Sequence, residues 1–200
     1  KDPQLFVELL TFLYCPEHED KNKLLEDELE ENVKIKKNNA YRAFYLLREW
    51  DTIPGVDKEG NIDKEVLREW VSHALQLAKE KDREKFVYTH LGELFAKYPE
   101  RKDDPHWPPI SLFELMEDLG SDQLFQNYSI GLYNKRGFTT RGGYEGGDIE
   151  RYNADYFEDL KNQCLPLYPH VAKVFEDLAN QYKQMAKEMD DQATIAQLDY

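Results

Sequence analysis

Between Asn134 and Phe157 the chain reads NKRGFTTRGGYEGGDIERYNADYF. Five of its ten glycines fall here, Gly137, Gly142, Gly143, Gly146 and Gly147, among Arg136, Arg141 and Arg151. Glycine loops expose backbone N–H groups, and a helix that starts after one carries partial positive charge at its N-terminus. Forked guanidinium donors add to that field, so Arg136, Arg141, Gly142, Gly143 and Arg151 form a candidate anion site. Such a site requires at least two of the arginines to share one concave pocket. The competing reading is a joint between helices. In it the glycines permit positive φ and close backbone approach, Asp148 caps the following helix, and Glu145, Asp148 and Glu150 pair with the arginines. No G-K-[ST] follows the loop, and the order of glycines does not match a dinucleotide fingerprint.

Other chemistry is thinner. VDKEGNID, residues 56–63, resembles part of a calcium loop, but with Gly60 as its sixth position the closing carboxylate would fall on Val66. It reads instead as a polar turn that caps the next helix. His18, His73, His90, His106 and His170 are scattered. Cys15 and His18 stand three apart with no second ligand pair behind them, so no metal site is expected. No nucleophile elbow is present, and forty Asp and Glu residues make carboxylate proximity in sequence uninformative. No catalytic residue and no cofactor are assigned, and the reading leans away from an enzyme. Two aromatics are candidate partner contacts: Trp107, held between prolines in PHWPPI, and Tyr144 in the glycine loop.

The elements that must position these residues are helical. Leu5, Phe6, Leu9, Leu10 and Leu13 recur at helical spacing after Pro3. Ala40, Ala43, Phe44, Leu47 and Trp50 mark a second buried face. Val66, Leu67, Trp70, Val71, Ala74 and Leu75 mark a third, opened by Asp63 as N-cap with an Ile62–Leu67 staple. Phe86, Val87, Leu91, Leu94 and Phe95 predict another helix. Ser111 and Glu114 match a capping box and Gly120 a C-terminal stop. Leu124, Phe125, Tyr128 and Leu132 share a face, and 148–164 and 169 onward read as the last two helices. Residues 16–37, acidic and then basic, predict an irregular or mobile stretch with a weak stripe at Leu24, Leu25, Leu29 and Val33. No alternating strand pattern and no fixed-period repeat is found.

The whole predicts one all-α domain over residues 1–200, an irregular multi-helix bundle or short α-solenoid of about seven to nine helices. Aromatics at 13% exclude a disordered chain. A mean hydropathy of −0.80 fits charged outer helix faces. The formal charge of −14 disfavours nucleic acid and anionic membrane as partners. No run reaches the roughly 18 apolar residues of a membrane span. Two separated cysteines fit a reducing cytoplasm.

AYRAFYLLREWDTIPG, GNIDKEVLREWV, HWPP and the glycine-rich stretch together resemble the helical C-terminal segment of large bacterial multidomain proteins with no assigned activity. The resemblance covers the chain from about residue 38. It implies a bacterial, intracellular origin and a piece of a longer chain, to which the Lys1 start conforms. It brings no cofactor or catalytic residue. The leading expectation is a non-enzymatic accessory module that binds a protein partner or another domain of its parent chain. It requires an exposed apolar patch of more than a few hundred Å². The alternative is binding of an anionic ligand, a nucleotide or nucleic-acid phosphate, by the 134–151 loop.

Overall fold

A computed structural model describes residues 2–18, 30–99, 108–137, 142 and 145–198. These hold eight helices: α1 (Pro3–Leu13), α2 (Glu30–Arg48), α3 (Lys64–Glu80), α4 (Glu84–Ala96), α5 (Ile110–Leu119), α6 (Asp122–Lys135), α7 (Asp148–Cys164) and α8 (Pro169–Leu198). Among the described residues the only extended pairing is an isolated bridge between Val56 and Ile62. The all-α expectation is met. Helices distant in order pack together, α4 on α6 and α6 and α5 on α8, which is the pattern of a bundle.

Several boundaries follow the local chemistry expected of them. Asp63 caps α3 by accepting the Val66 N–H at 3.1 Å, and Gly120 ends α5 at φ +56° in the left-handed region. In the turn before α3, Asp57 accepts the Asn61 N–H at 2.8 Å and its own N–H returns to the Asn61 carbonyl at 3.0 Å. This hydrogen bonding, led by the Asn61 side chain, holds the Asp57 carboxyl below its usual range. The segment is a closed polar turn, as read from its sequence.

The core centres on Phe175 of α8. It meets Phe113 of α5 edge-on at 5.8 Å, Tyr128 of α6 at 6.4 Å and Phe157 of α7 at 6.1 Å between centroids. Aromatic pairs favour such offset and edge geometries over face-to-face contact. The α4–α6 crossing is closer still. A Cβ placed on Gly92 would lie 2.5 Å from the Leu124 carbonyl oxygen and 2.7 Å from the Tyr128 nitrogen. Only glycine lets these two backbones touch.

Six local expectations need correction. Phe44, expected in the core, is exposed, because α2 packs chiefly on α1 and only Ala43 and Leu47 of that face are buried. Val66 in the first turn of α3 and Leu5 in α1 are likewise exposed. Ser111 does not open a capping box: α5 starts two residues earlier, with Pro109 at its N-cap, and Glu114 forms an ion pair with Lys64 of α3. Asp148 is the first helical residue of α7 and not its cap, which is Gly147. The expected irregular stretch 16–37 is helical from Glu30 on, where no Gly or Pro interrupts good helix formers. Leu24, Leu25 and Leu29 lie outside the described residues.

Candidate functional site

The α6 C-terminus and the α7 N-terminus meet α8 at the glycine-rich stretch. Arg136 follows the last turn of α6. Its Nη2 donates to Glu150 Oε1 at 2.9 Å, and Glu150 is only 1% exposed. The same guanidinium lies over the ring of Tyr182 from α8, 5.6 Å from its centroid. Tyr182 in turn stacks on Phe157 of α7 at 5.7 Å with the planes 10° apart. Burial raises the Tyr182 pKa, and the nearby Arg136 opposes that shift. One cation therefore ties three helices together at a single corner.

Arg151 works on the outside of the same corner. Its Nη1 donates to Asp190 Oδ2 at 2.6 Å and its Nη2 to Asp148 Oδ1 at 2.6 Å. Asp190 Oδ1 also accepts the Gly147 N–H at 2.8 Å. Arg151 first, then the Gly147 N–H, hold the Asp190 carboxyl below the usual range. A side chain on Gly147 would overlap the backbone of Ala186, and one on Gly146 would meet Asp190. These glycines sit where the loop backbone lies against α8.

Of the proposed anion ligands, the described ones separate. Arg136 lines a cleft of about 250 Å³ with Lys135, Asn153, Tyr156 and Tyr182. Arg151 is turned toward Asp148 and Asp190. Gly142 is exposed and its carbonyl accepts the Glu145 N–H at 3.1 Å. Arg141, Gly143, Tyr144 and Trp107 lie outside the described residues. The carboxylate partners expected at Asp148 and Glu150 are present. The corner has the geometry of a joint: matched charges, a stacked aromatic and close backbone contact.

The described histidines do not converge, and His106 lies outside the described residues. His90 is partly buried and shares a 3.0 Å hydrogen bond with the Tyr14 hydroxyl. Burial, then Lys97, push its pKa down to about 4, so it is neutral near pH 7. His73 is exposed, and His170 pairs with Glu117 at 2.6 Å. Cys15 and Cys164 are both free thiols. Among the described residues no group of three or more His, Cys, Asp or Glu is placed to hold a metal ion, and no helix is long and apolar enough to cross a membrane.

A second region stands out, and of its exposed side chains only Phe44 was expected in the core. On α2, Tyr41 is 64% exposed, Phe44 49%, Tyr45 41% and Leu46 56%. Tyr41 and Tyr45 pack ring against ring at 4.5 Å, and Phe44 meets Tyr45 edge-on at 5.5 Å. Ala43 and Leu47 cover the inward face, so the C-terminal half of α2 carries apolar side chains both inward and outward, with Arg42 and Arg48 among the outward ones. An amphipathic surface helix normally keeps its outward face polar. The signal was legible in AYRAFYLL: apolar residues at consecutive positions cannot all face one neighbour. Among the described residues, Lys34, Lys37, Arg42 and Arg48 of this helix make no ion pair.

Comparison with known protein families, curated proteins and solved structures finds no match to this chain.

Proposed function

We propose that the chain is a non-enzymatic interaction module, which binds a protein partner or another domain of a longer parent chain. The observation that carries this reading is the outer face of α2, where Tyr41, Phe44, Tyr45 and Leu46 stand exposed side by side. Singly exposed apolar residues are ordinary, but a contiguous aromatic patch on a soluble surface marks an interaction site. Tyr is also enriched among residues that dominate binding energy at protein interfaces.

Photo-crosslinking tests the reading. A photoreactive phenylalanine analogue replaces Phe44 in the protein expressed in its own cells. The expected result is one discrete adduct, to a partner or within a longer parent chain. The same analogue at the exposed Tyr152 on α7 is the control. No adduct at position 44, or a pattern equal to that from position 152, removes the reading.

The anionic-ligand alternative draws support from the cleft that Lys135 and Arg136 line. Against it weigh the Glu150 carboxylate already at Arg136 and the two carboxylates already at Arg151. Melting curves in millimolar phosphate, sulfate and nucleotides discriminate the readings. A stabilisation lost in Arg141→Ala favours the anion site.

A further inference from the structure

We propose that the outer face of α2 is the seat of an acidic amphipathic helix. The inference rests on the interaction-module reading and names the chemistry of the partner. Lys34, Lys37, Tyr41, Phe44 and Arg48 follow the three-and-four spacing of a heptad seam. All five are exposed. With Tyr45 beside Phe44 they form one straight stripe, aromatic at its centre and cationic at both ends. From Lys34 to Arg48 the stripe runs about 21 Å at helical rise.

Charge selects the occupant. Residues 33–48 hold five basic side chains and no acidic one, in a chain with 26 Lys and Arg against 40 Asp and Glu. Like charges this concentrated on a helix destabilise it unless an opposite charge answers them. Lys34, Lys37 and Arg48 find no such carboxylate among the described residues. A partner helix with Leu or Ile along its seam and Glu on its flanks would cover the three rings and answer the cations together. Charge on the rim of such an interface chiefly sets orientation and encounter rate, and burial of the rings supplies affinity.

Two other occupants fit worse. A second copy laid antiparallel about Tyr41 sets Lys34 opposite Arg48, and a parallel copy sets every cation beside its own image. A nucleic acid would bring a dense row of phosphates toward a chain of net charge −14.

The test uses the 200-residue chain and two labelled three-heptad peptides with Leu seams, one flanked by Glu and one by Lys, read by fluorescence anisotropy. The Glu peptide is expected to bind at least ten times more tightly than the Lys peptide, an advantage that shrinks with added salt. The variant Lys34→Glu/Lys37→Glu/Arg48→Glu is expected to reverse the preference. Tyr41→Ser/Phe44→Ser/Tyr45→Ser is expected to abolish binding of both peptides. Circular dichroism and melting curves confirm that both variants stay folded. No binding of the Glu peptide, equal affinity for the two peptides, self-association through α2, or tighter binding of an oligonucleotide each overturns the proposal. The photo-crosslinking experiment separates the two layers. If the serine set removes the adduct formed near α2 (read from position Leu46) and charge reversal leaves it, the module stands and the acidic helix falls. If neither set changes the adduct, both fall.

Discussion

Arg136 and Arg48 stand in opposite electrical circumstances. Arg136 has a buried carboxylate at 2.9 Å and an aromatic face above it. Arg48 ends a helix whose rings and cations look outward. The same residue types, Arg and Tyr, serve as internal mortar at the α6–α7–α8 corner and as open surface on α2. What separates them is the number of helices that reach each place. Three helices close on Arg136, whereas α2 packs chiefly on α1. If the contrast is real, substitutions at the corner must damage the fold and substitutions on α2 must spare it.

The largest effect is expected at the corner pair. Arg136→Ala removes the guanidinium beside a carboxylate that is 1% exposed. Breaking a buried pair from one side costs about 3–5 kcal/mol. Urea denaturation measures it, and a loss below about 1 kcal/mol, the range of surface pairs, would erase the contrast. Core truncation gives a yardstick on the same scale. Phe175→Ala, which empties the meeting point of rings from α5, α6 and α7, is expected to cost about 3–5 kcal/mol.

A middle-sized effect belongs to the glycines that let backbones touch. Gly147→Ala pushes a methyl into the Ala186 backbone, and Gly92→Ala pushes one into α6. Overpacking of this kind costs about 1–3 kcal/mol, or roughly 2–4 °C of Tm per kcal/mol in a chain of this size. A Gly147→Ala protein with unchanged Tm would show that the loop backbone is not seated on α8.

Much of this was legible from residue types. The all-α architecture follows from apolar spacing and from Pro, Gly and Asp at the boundaries. The α7 bounds, the Asp63 cap and the Gly120 stop appear where their chemistry placed them. The pairing of Asp148 with Arg151 was also open to reading, because the two sit within one turn, whereas Glu150 reaches Arg136 from the neighbouring helix. What periodicity could not supply was the number of neighbours. A stripe at Ala40, Ala43, Phe44, Leu47 and Trp50 says that a face is apolar, but not how wide a face the fold covers. Here Ala43 and Leu47 are buried and Trp50 packs edge-on against Phe6 of α1, but Phe44 is left outside. Nor could sequence reveal which glycines answer to close approach, since Ala186 and Leu124 lie far along the chain from Gly147 and Gly92.

A smaller effect separates the two arginines within the corner. Asp190, unlike Glu150, sits at the surface, with Arg151 and the Gly147 N–H holding its pKa down. A carboxylate whose folded pKa lies below its unfolded value, about 3.9 for Asp, stabilises the fold above that value. The contribution is lost as the pH falls through the folded pKa. Side-chain NMR titration should find Asp190 below the ordinary Asp range, rising toward it in Arg151→Ala. The difference in Tm between the two proteins should shrink with salt, as screening of an exposed pair requires. An Asp190 pKa that Arg151→Ala leaves unmoved would mean that the Gly147 N–H, not the guanidinium, sets it.

The smallest effect is expected on α2, and its smallness is the point. Tyr41→Ser and Phe44→Ser remove rings that are 64% and 49% exposed and touch chiefly each other's neighbour, Tyr45. Substitutions away from buried features stay within about 0.5 kcal/mol, and here removal of exposed apolar area also improves solubility. The isolated chain should therefore melt within about a degree or two of wild type while binding less of a dye that reports exposed apolar surface. Were Phe44→Ser instead to destabilise as strongly as Arg136→Ala, the α2 rings would be packed in solution against part of their own chain. The two regions would then be one kind of structure, and α2 would no longer offer a surface to any partner.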